Sequence, residues 1–204
     1  EELLTQMDQL FAEPVYSDSP QTDALYLKAL QDELIFHYEH NDMYRQFCNR
    51  KGFDPHAELT DIRQIPPVAV SVFKNLGFGL ASVPKDDIKL RLQSSATSGT
   101  PSTIVVDKIT SKRQAKAMVK VMQEFIGKDR KPFLVMDIDP RSEYRALLGA
   151  RFAAITGYLN FASKAGDFLK AKNGVSYFDI DAIKEYLTTI PTDQPVVVFG
   201  FTYI

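Results

Sequence analysis

Two short apolar runs in the second half of the chain constrain its fold more than any other feature. Residues 133–138 (FLVMDI) and 195–201 (PVVVFGF) are each long enough for one strand, and Asp137 is the only charged residue in either run. Strands of this composition are typical of sheets that helices cover on both faces. Helical patterns precede and separate the two runs, so the sequence predicts an α/β fold with helices packed on a mixed sheet.

Helical periodicity also occupies much of the chain before these strands. The first 52 residues show it, and Ser19 is placed to cap a helix that Pro20 begins. A later helix is predicted to start at a Thr110 cap, to bury Phe125 on its apolar face and to end before Gly127. These patterns predict that the chain begins with helices and continues into the α/β region.

A run of small, hydroxyl-bearing residues joins two further predicted strands. Residues 88–93 alternate apolar and polar side chains, and residues 103–106 are rich in β-branched side chains. The segment between them, residues 94–102 (SSATSGTPS), carries six hydroxyl groups. A hairpin needs only about two to five loop residues. Because hydroxyls and backbone N–H groups of such a segment can donate to an anion, it predicts a phosphate site.

This segment resembles the phosphate-binding loop of adenylate-forming enzymes, which runs Ser-Ser-Gly-Thr-Thr-Gly-x-Pro-Lys in outline. Ala96 stands in place of the first glycine of that outline, and Ser102 stands in place of its lysine. Lys108, Lys112 and Arg113 lie close downstream as candidates to supply the missing charge. The resemblance assigns nucleotide binding to Ser94, Ser95, Ala96, Thr97, Ser98, Gly99, Thr100 and Ser102. It assigns no catalytic residue.

The wider sequence is similar to the bacterial acyl-protein synthetase family. The similarity is carried by residues 65–74, 91–95, 102–108 and 199–202. It implies the N-terminal portion of the large domain of an adenylate-forming enzyme. We therefore predict a single partial domain over residues 1–204, with a helical lead-in over 1–60 and an α/β nucleotide-binding portion over 61–204.

The resemblance implies a ligase reaction. A long-chain fatty acid, or another carboxylate, is activated with ATP and Mg²⁺ as an acyl-adenylate, and its acyl group passes to a protein thiol. The implied partners are the carboxylate, an acyl-accepting protein or coenzyme A, and an acyl reductase. The family's aromatic-Gly-x-Thr-Glu motif, ribose-binding aspartate and thioester-forming cysteine are expected beyond residue 204. The present chain is therefore expected to be incomplete for the whole reaction.

Two alternatives remain open at this point. A carboxylate–coenzyme A ligase of the phenylacetate type shares the loop but differs in its acceptor, so pyrophosphate release that depends on coenzyme A would indicate it. A non-catalytic fragment or interaction module would keep the fold without the chemistry. The departures at Ala96 and Ser102 favour this second alternative.

Composition excludes several other classes of protein. The net charge of -2 and the pI of about 6.0 give no electrostatic basis for binding nucleic acid. No apolar stretch approaches the roughly 20 residues that span a bilayer. Cys48 is the only cysteine, which excludes an intrachain disulfide and a zinc site built on paired thiolates. A lone cysteine and the lack of a signal peptide predict a cytoplasmic protein.

The remaining chemically active side chains have simpler interpretations. Cys48 is expected to be a small packing residue rather than an acyl-accepting thiol. His37, His40 and His56 lack the spacing of metal ligands. Asp139, which follows a predicted strand together with Asp137, is better explained as a helix cap than as a metal ligand. The sequence therefore predicts no metal site built from protein side chains.

Overall fold

The structure is a computed structural model that describes residues 3–93, 101–143, 151–172 and 175–201. The helices are α1 (Leu3–Ala12), α2 (Pro20–His40), α3 (Asp42–Lys51), α4 (Val70–Asn75), α5 (Lys108–Ile126), α6 (Arg151–Tyr158) and α7 (Ile180–Thr188). The strands are β1 (Ile88–Gln93), β2 (Thr103–Asp107), β3 (Lys131–Met136), β4 (Ala162–Asp167), β5 (Leu169–Lys172), β6 (Val175–Phe178) and β7 (Val197–Gly200). The chain divides into two compact units, Glu1–Val121 and Met122–Ile204.

The first unit begins with helices whose ends are fixed by side-chain caps. Ser19 caps α2 as predicted, because its Oγ accepts a hydrogen bond of 3.1 Å from the Thr22 N–H. Asn41 lies between α2 and α3 and is 5% exposed. Its Oδ1 accepts from the Tyr44 N–H, while its Nδ2 donates to the carbonyl oxygens of Gly79 and Ala81 at 2.9 and 3.0 Å. This one side chain therefore ties the segment around residue 80 to the junction of α2 and α3.

A two-stranded antiparallel sheet borders the predicted phosphate segment. β1 pairs with β2, with Arg91 opposite Val105 and Gln93 opposite Thr103. Both predicted strands are confirmed. The following helix begins earlier than expected, because the Asp107 carboxylate at the end of β2 accepts from the Thr110 N–H at 2.7 Å. The predicted Thr110 cap is therefore wrong, and Asp107 takes that role.

The other end of α5 follows the sequence more closely. Gly127 has a φ of 76°, and its N–H donates to the Gln123 carbonyl, so the glycine ends the helix in the left-handed conformation that it tolerates best. The predicted burial of Phe125 is wrong, since this side chain is 70% exposed. Helical periodicity places Phe125 on the same face as Met118 and Val119. Those two side chains are only half-buried, so this face of the helix is incompletely covered.

The second unit is built on a parallel sheet with the strand order β4-β3-β7. The central strand β3 carries the buried side chains Phe133 and Val135, both 0% exposed, as the apolar run predicts. α7 covers the sheet through a cluster of Leu134, Phe168 and Tyr186. Parallel and antiparallel pairings thus occur together with helices, which confirms the predicted α/β fold.

Part of the second unit lies outside the sequence prediction. The sequence does not predict β4 or the antiparallel pair of β5 and β6, because these strands have only six, four and four residues, with one β-branched side chain among them, and include glycine, lysine and serine. No helix in the described part of the chain combines the length and the apolarity needed to cross a bilayer.

Lys120 holds the end of α1 and supports a stability prediction. Its Nζ donates to the carbonyl oxygens of Phe11 and Glu13 at 2.8 and 2.6 Å. Charged hydrogen bonds are worth about 1.5–3 kcal/mol, so Lys120→Met is expected to increase amide hydrogen exchange in α1 at least about tenfold. The exposed Lys116→Met on the same helix is the control. Unchanged exchange in α1 would show that Lys120 does not anchor it.

Candidate functional site

The predicted phosphate segment falls largely outside the described residues. Residues 94–100 are not described, so the roles of Ser94, Ser95, Ala96, Thr97, Ser98, Gly99 and Thr100 stay predictions. The flanks are described. Because Gln93 pairs with Thr103, the segment leaves and re-enters the sheet at neighbouring positions. Ser102, at the position of the family's loop lysine, is only 8% exposed. The structure therefore confirms the two strands that border the segment. Whether the segment binds a phosphate stays a prediction.

A cleft lies beside this hairpin within the first unit. One cavity of about 450 Å³ is lined by α2, by residues 80–83, by β2 and by the first two turns of α5. A second cavity of about 430 Å³ shares five lining residues with it, so the two cavities are adjacent and are described together as one cleft. We call it the α2–α5 cleft. The shared residues are Phe36, Ser82, Val83, Asp107 and Ile109.

Charged groups line one end of this cleft. Arg113 Nη1 lies 2.7 Å from Glu33 Oε1, and the two side chains are 14% and 32% exposed. Arg113 Nη2 is buried and has no hydrogen-bond partner among the described residues. Desolvation raises the pKa of Asp32, and the neighbouring Glu33 carboxylate adds to the rise. Since Arg113 pairs with Glu33, it is not a free cation that replaces the missing loop lysine.

A histidine and a serine meet in the same cleft. His37 Nδ1 lies 2.6 Å from Ser82 Oγ. Desolvation lowers the pKa of His37, and the Glu33 carboxylate partly opposes that effect. The imidazole is therefore neutral near neutral pH. Its Nδ1 either donates a hydrogen bond to the serine hydroxyl or accepts one from it, depending on the tautomer.

In the second unit, carboxylates gather where the parallel strands end. Asp137 follows β3 and is fully buried, with Oδ1 accepting from the Ile138 N–H at 2.8 Å and Oδ2 lying 3.2 Å from Arg151 Nη1. The Arg151 guanidinium carbon lies 6.0 Å from the centre of the Phe201 ring, just after β7. Ligands of open α/β sheets commonly bind at this edge, beside the strand where the order reverses. Asp137, Arg151 and Phe201 are therefore a candidate site of their own.

A second group at this edge links two carboxylates through one arginine. Arg141 Nε lies 2.9 Å from Asp139 Oδ1, and Arg141 Nη2 lies 3.1 Å from Asp167 Oδ2. Desolvation tends to raise the pKa of Asp139, but hydrogen bonds from Arg141 outweigh it and hold the pKa below its ordinary value. Asp139 also accepts from the Arg141 N–H, so it caps a turn at this point in the chain.

The histidines, the cysteine and these aspartates do not form a metal site in the described part of the chain. No group of three or more metal-ligating side chains is present among the described residues. Asp137 and Asp139 are each engaged by an arginine. Cys48 is 0% exposed, and burial raises the pKa of its thiol, as expected of a packing residue rather than a nucleophile.

Asp167 gives a prediction about pH. Burial raises its pKa above the ordinary 3.8, the Asp139 carboxylate raises it further, and Arg141 opposes both. The folded protein therefore holds this proton more tightly than the unfolded chain does, and stability is lost as the pH rises from 3.8 through the raised pKa. Relative to Asp167→Asn, the wild type should be less stable at about pH 7 than at about pH 4.

The measurement is urea unfolding of both proteins at the two pH values. The exposed Asp193→Asn is the control that separates this titration from the general effect of removing one negative charge. A wild type whose stability relative to Asp167→Asn rises as the pH rises would contradict the raised pKa.

Sequence reasoning missed most of these pairings. Asp137 carried a signal, because it is the single charge within an apolar run and such a residue needs a partner. Asp167 carried none, since β4 was not predicted. The pairs Arg113–Glu33 and His37–Ser82 join residues far apart in sequence, which no local pattern reveals.

Comparison with known proteins agrees with the resemblance seen in the sequence. The family model described as acyl-protein synthetase, LuxE, matches residues 2–204. The long-chain-fatty-acid–luciferin-component ligase of Vibrio harveyi is 33% identical over 115 residues, which cover 53% of this chain and 28% of the relative. The match thus spans less than a third of the length of that relative.

Proposed function

The chain belongs to the acyl-protein synthetase family, and from this premise we propose that it contributes the nucleotide-binding part of a fatty-acid ligase. The observation that carries the proposal is the hydroxyl-rich segment 94–102, whose flanking strands pair up to Gln93 and Thr103. A tight turn at that point would need only about two residues. The nine present are more than a turn needs, and their small side chains suit close contact with a triphosphate.

The proposed reaction has two steps. A carboxylate oxygen of the fatty acid attacks the α-phosphorus of ATP, the bond from that phosphorus to the bridging oxygen breaks, and pyrophosphate leaves. A thiolate then attacks the carbonyl carbon of the acyl-adenylate and AMP leaves. The name of the Vibrio harveyi relative, a ligase of long-chain fatty acids, supports the choice of substrate.

Hydroxyls in the segment act on this reaction through positioning. Ser95, Thr97, Ser98 and Thr100 supply donors to the triphosphate oxygens, and backbone N–H groups add to them. Donors held in place before the reaction lower its barrier, because they need no reorganisation as pyrophosphate develops charge. The lysine that the family carries at position 102 is replaced by a buried serine. Hydroxyl and backbone donors, rather than a loop cation, therefore position the triphosphate in the proposed site.

Mg²⁺ would offset charge on the triphosphate when it is bound. Its sites usually consist of phosphate oxygens, water and one or two carboxylates. A site with one or two carboxylates forms no cluster of three or more protein ligands, and none is found among the described residues, so we assign the ion no protein ligand.

Hydroxylamine trapping tests the proposal. The complete gene product is mixed with ATP, Mg²⁺ and tetradecanoate, and hydroxylamine converts the acyl-adenylate to a hydroxamate that is measured directly. The proposal expects hydroxamate without any added thiol. Both ligase classes form the acyl-adenylate before the thiol acts, so the acceptor separates them, and acyl transfer to coenzyme A rather than to a protein thiol would instead support the phenylacetate-type alternative. Absence of hydroxamate with every carboxylate would support a non-catalytic module.

The expected cytoplasmic location is part of the proposal, since a thiol acceptor needs reducing conditions.

A further inference from the structure

The α2–α5 cleft has no role in the reaction as described so far. Its two cavities of about 450 and 430 Å³ fall within the range of about 300–1,000 Å³ that is usual for small-molecule sites. The cleft lies wholly within the first unit, beside the strand that leaves the predicted phosphate segment.

We propose that the α2–α5 cleft holds the hydrocarbon chain of the fatty acid, with the carboxyl end outside the cleft and toward the predicted phosphate segment. The inference rests on the proposed function, and it adds the position and the specificity of the acyl chain.

Apolar side chains form the shared middle of the cleft. Both cavities are lined by Phe36 of α2, by Val83 of residues 80–83 and by Ile109 of α5. The first cavity is also lined by Val105 of β2. Ile109 is 46% exposed, a large apolar side chain that faces solvent when the cleft is empty of ligand. Burial of each methylene in such a cleft improves affinity about fourfold. A long chain is therefore strongly preferred over a short one.

Charge sets the orientation of the chain. Carboxylates outnumber cations along the cleft, with Asp32, Glu33, Asp87 and Asp107 against Lys108 and Arg113. Arg113 is already paired with Glu33 at 2.7 Å. The surroundings also raise the pKa of Asp32, which shows that they disfavour a further negative charge. The cleft accepts the hydrocarbon and repels the carboxylate, so the carboxylate stays outside.

The strand β2 directs that carboxylate toward the phosphate segment. Every second side chain of a strand lies on the same face, so β2 places Thr103, Val105 and Asp107 together. Val105 and Asp107 line the cleft. Thr103 follows the segment and lies about 7 Å from Val105 at the usual rise of a strand. A chain that leaves the cleft along this face reaches the segment where ATP is proposed to bind.

Filling the cleft tests this inference. Ile109→Trp and Val83→Trp each place a large ring in the shared middle, and Val121→Trp is the control on the same helix, 37% exposed and outside both cavities. The fluorescent fatty acid cis-parinarate is titrated into each protein, and KM values for hexanoate and tetradecanoate are measured by ATP–pyrophosphate exchange. Circular dichroism verifies that each variant is folded.

We expect both cleft variants to weaken cis-parinarate binding and to raise the KM of tetradecanoate by at least about tenfold, the effect of losing about two methylenes. The KM of hexanoate and that of ATP should stay within about twofold of wild type. Unchanged cis-parinarate binding in both folded variants would overturn the inference even if exchange is normal. Exchange that is absent in the wild type with every carboxylate would refute the proposed function, and cis-parinarate binding would still decide whether the cleft holds a chain.

Discussion

Replacing Thr97 by valine and Ser98 by alanine together is expected to lower fatty-acid-dependent ATP–pyrophosphate exchange by about 10²–10³-fold. Both substitutions remove a hydroxyl donor at the centre of the predicted phosphate segment and change side-chain volume little. Loss of one preorganised donor to a developing negative charge costs about 3–4 kcal/mol in comparable sites. Because the donors act more strongly in the transition state than on bound ATP, kcat should fall more than the KM for ATP rises.

The matched control for this pair is Thr188→Val. Thr188 is an exposed hydroxyl residue near the end of α7, where its Oγ1 donates to the Glu185 carbonyl. Its replacement should leave the exchange rate within about twofold of wild type. If the doubly substituted protein is folded and keeps more than about a third of the wild-type rate, then the segment does not bind the triphosphate as proposed.

Removing the Asp137 carboxylate is expected to have the largest effect on stability. Asp137 is 0% exposed, and its Oδ2 faces Arg151 Nη1 at 3.2 Å, with the arginine side chain 20% exposed. Breaking a buried pair from one side costs about 3–5 kcal/mol, because the remaining charge stays buried after its counter-charge is gone. Asp137→Ala should therefore lower the free energy of unfolding by that amount, as measured by urea denaturation.

Asp181→Ala provides the comparison, since its side chain is 98% exposed and its nearest cation, Lys184, lies 3.9 Å away. Exposed pairs of this kind are worth about 0–1 kcal/mol. A loss below about 1 kcal/mol in Asp137→Ala would mean that water or another group compensates Arg151, and the pair would then not hold the ends of β3 and α6 together.

Local sequence patterns predicted those parts of the fold that local physics decides. The apolar run at β3 and the β-branched run at β2 determine strands, and Ser19 and Gly127 determine helix ends, because each effect depends on neighbours within a few residues. The cap of α5 was misassigned for a related reason. Thr110 and Asp107 are both competent caps, and only the point at which β2 ends decides between them.

The side-chain pairings of the candidate sites could not be predicted from the sequence. Glu33 and Arg113 are eighty positions apart, and their pairing depends on how α2 and α5 pack. The same holds for the link between Arg141 and Asp167, which joins a turn after β3 to the end of an unpredicted strand. The phosphate segment could be predicted because its information lies within nine consecutive residues and in their resemblance to a family. The comparison confirms that family over residues 2–204, and phosphate binding by the segment stays a prediction.

The α2–α5 cleft depends both on local hydrogen bonds and on the packing of segments that are distant in sequence. The sequence predicts a helix that starts at Thr110, one residue after Ile109, and it shows no metal-ligand spacing at His37. Neither pattern indicates a cavity. The cleft arises because Asn41 fixes the segment around residue 80 beside α2, while Asp107 starts α5 directly at the end of β2. Both side chains act through hydrogen bonds to the backbone. Replacing Asn41 should therefore change the shape of the cleft without altering its lining, whereas replacing Asp107 changes both.

ATP–pyrophosphate exchange by the complete gene product, with tetradecanoate and without any thiol, is the most direct measurement of the central claim. The claim is that a segment of small hydroxyl residues on the β1–β2 hairpin holds ATP while a fatty carboxylate attacks it. We predict exchange that requires the fatty acid and that falls when Thr97 and Ser98 are replaced. Exchange that is absent with every carboxylate tested, in a protein shown to be folded, would contradict the claim.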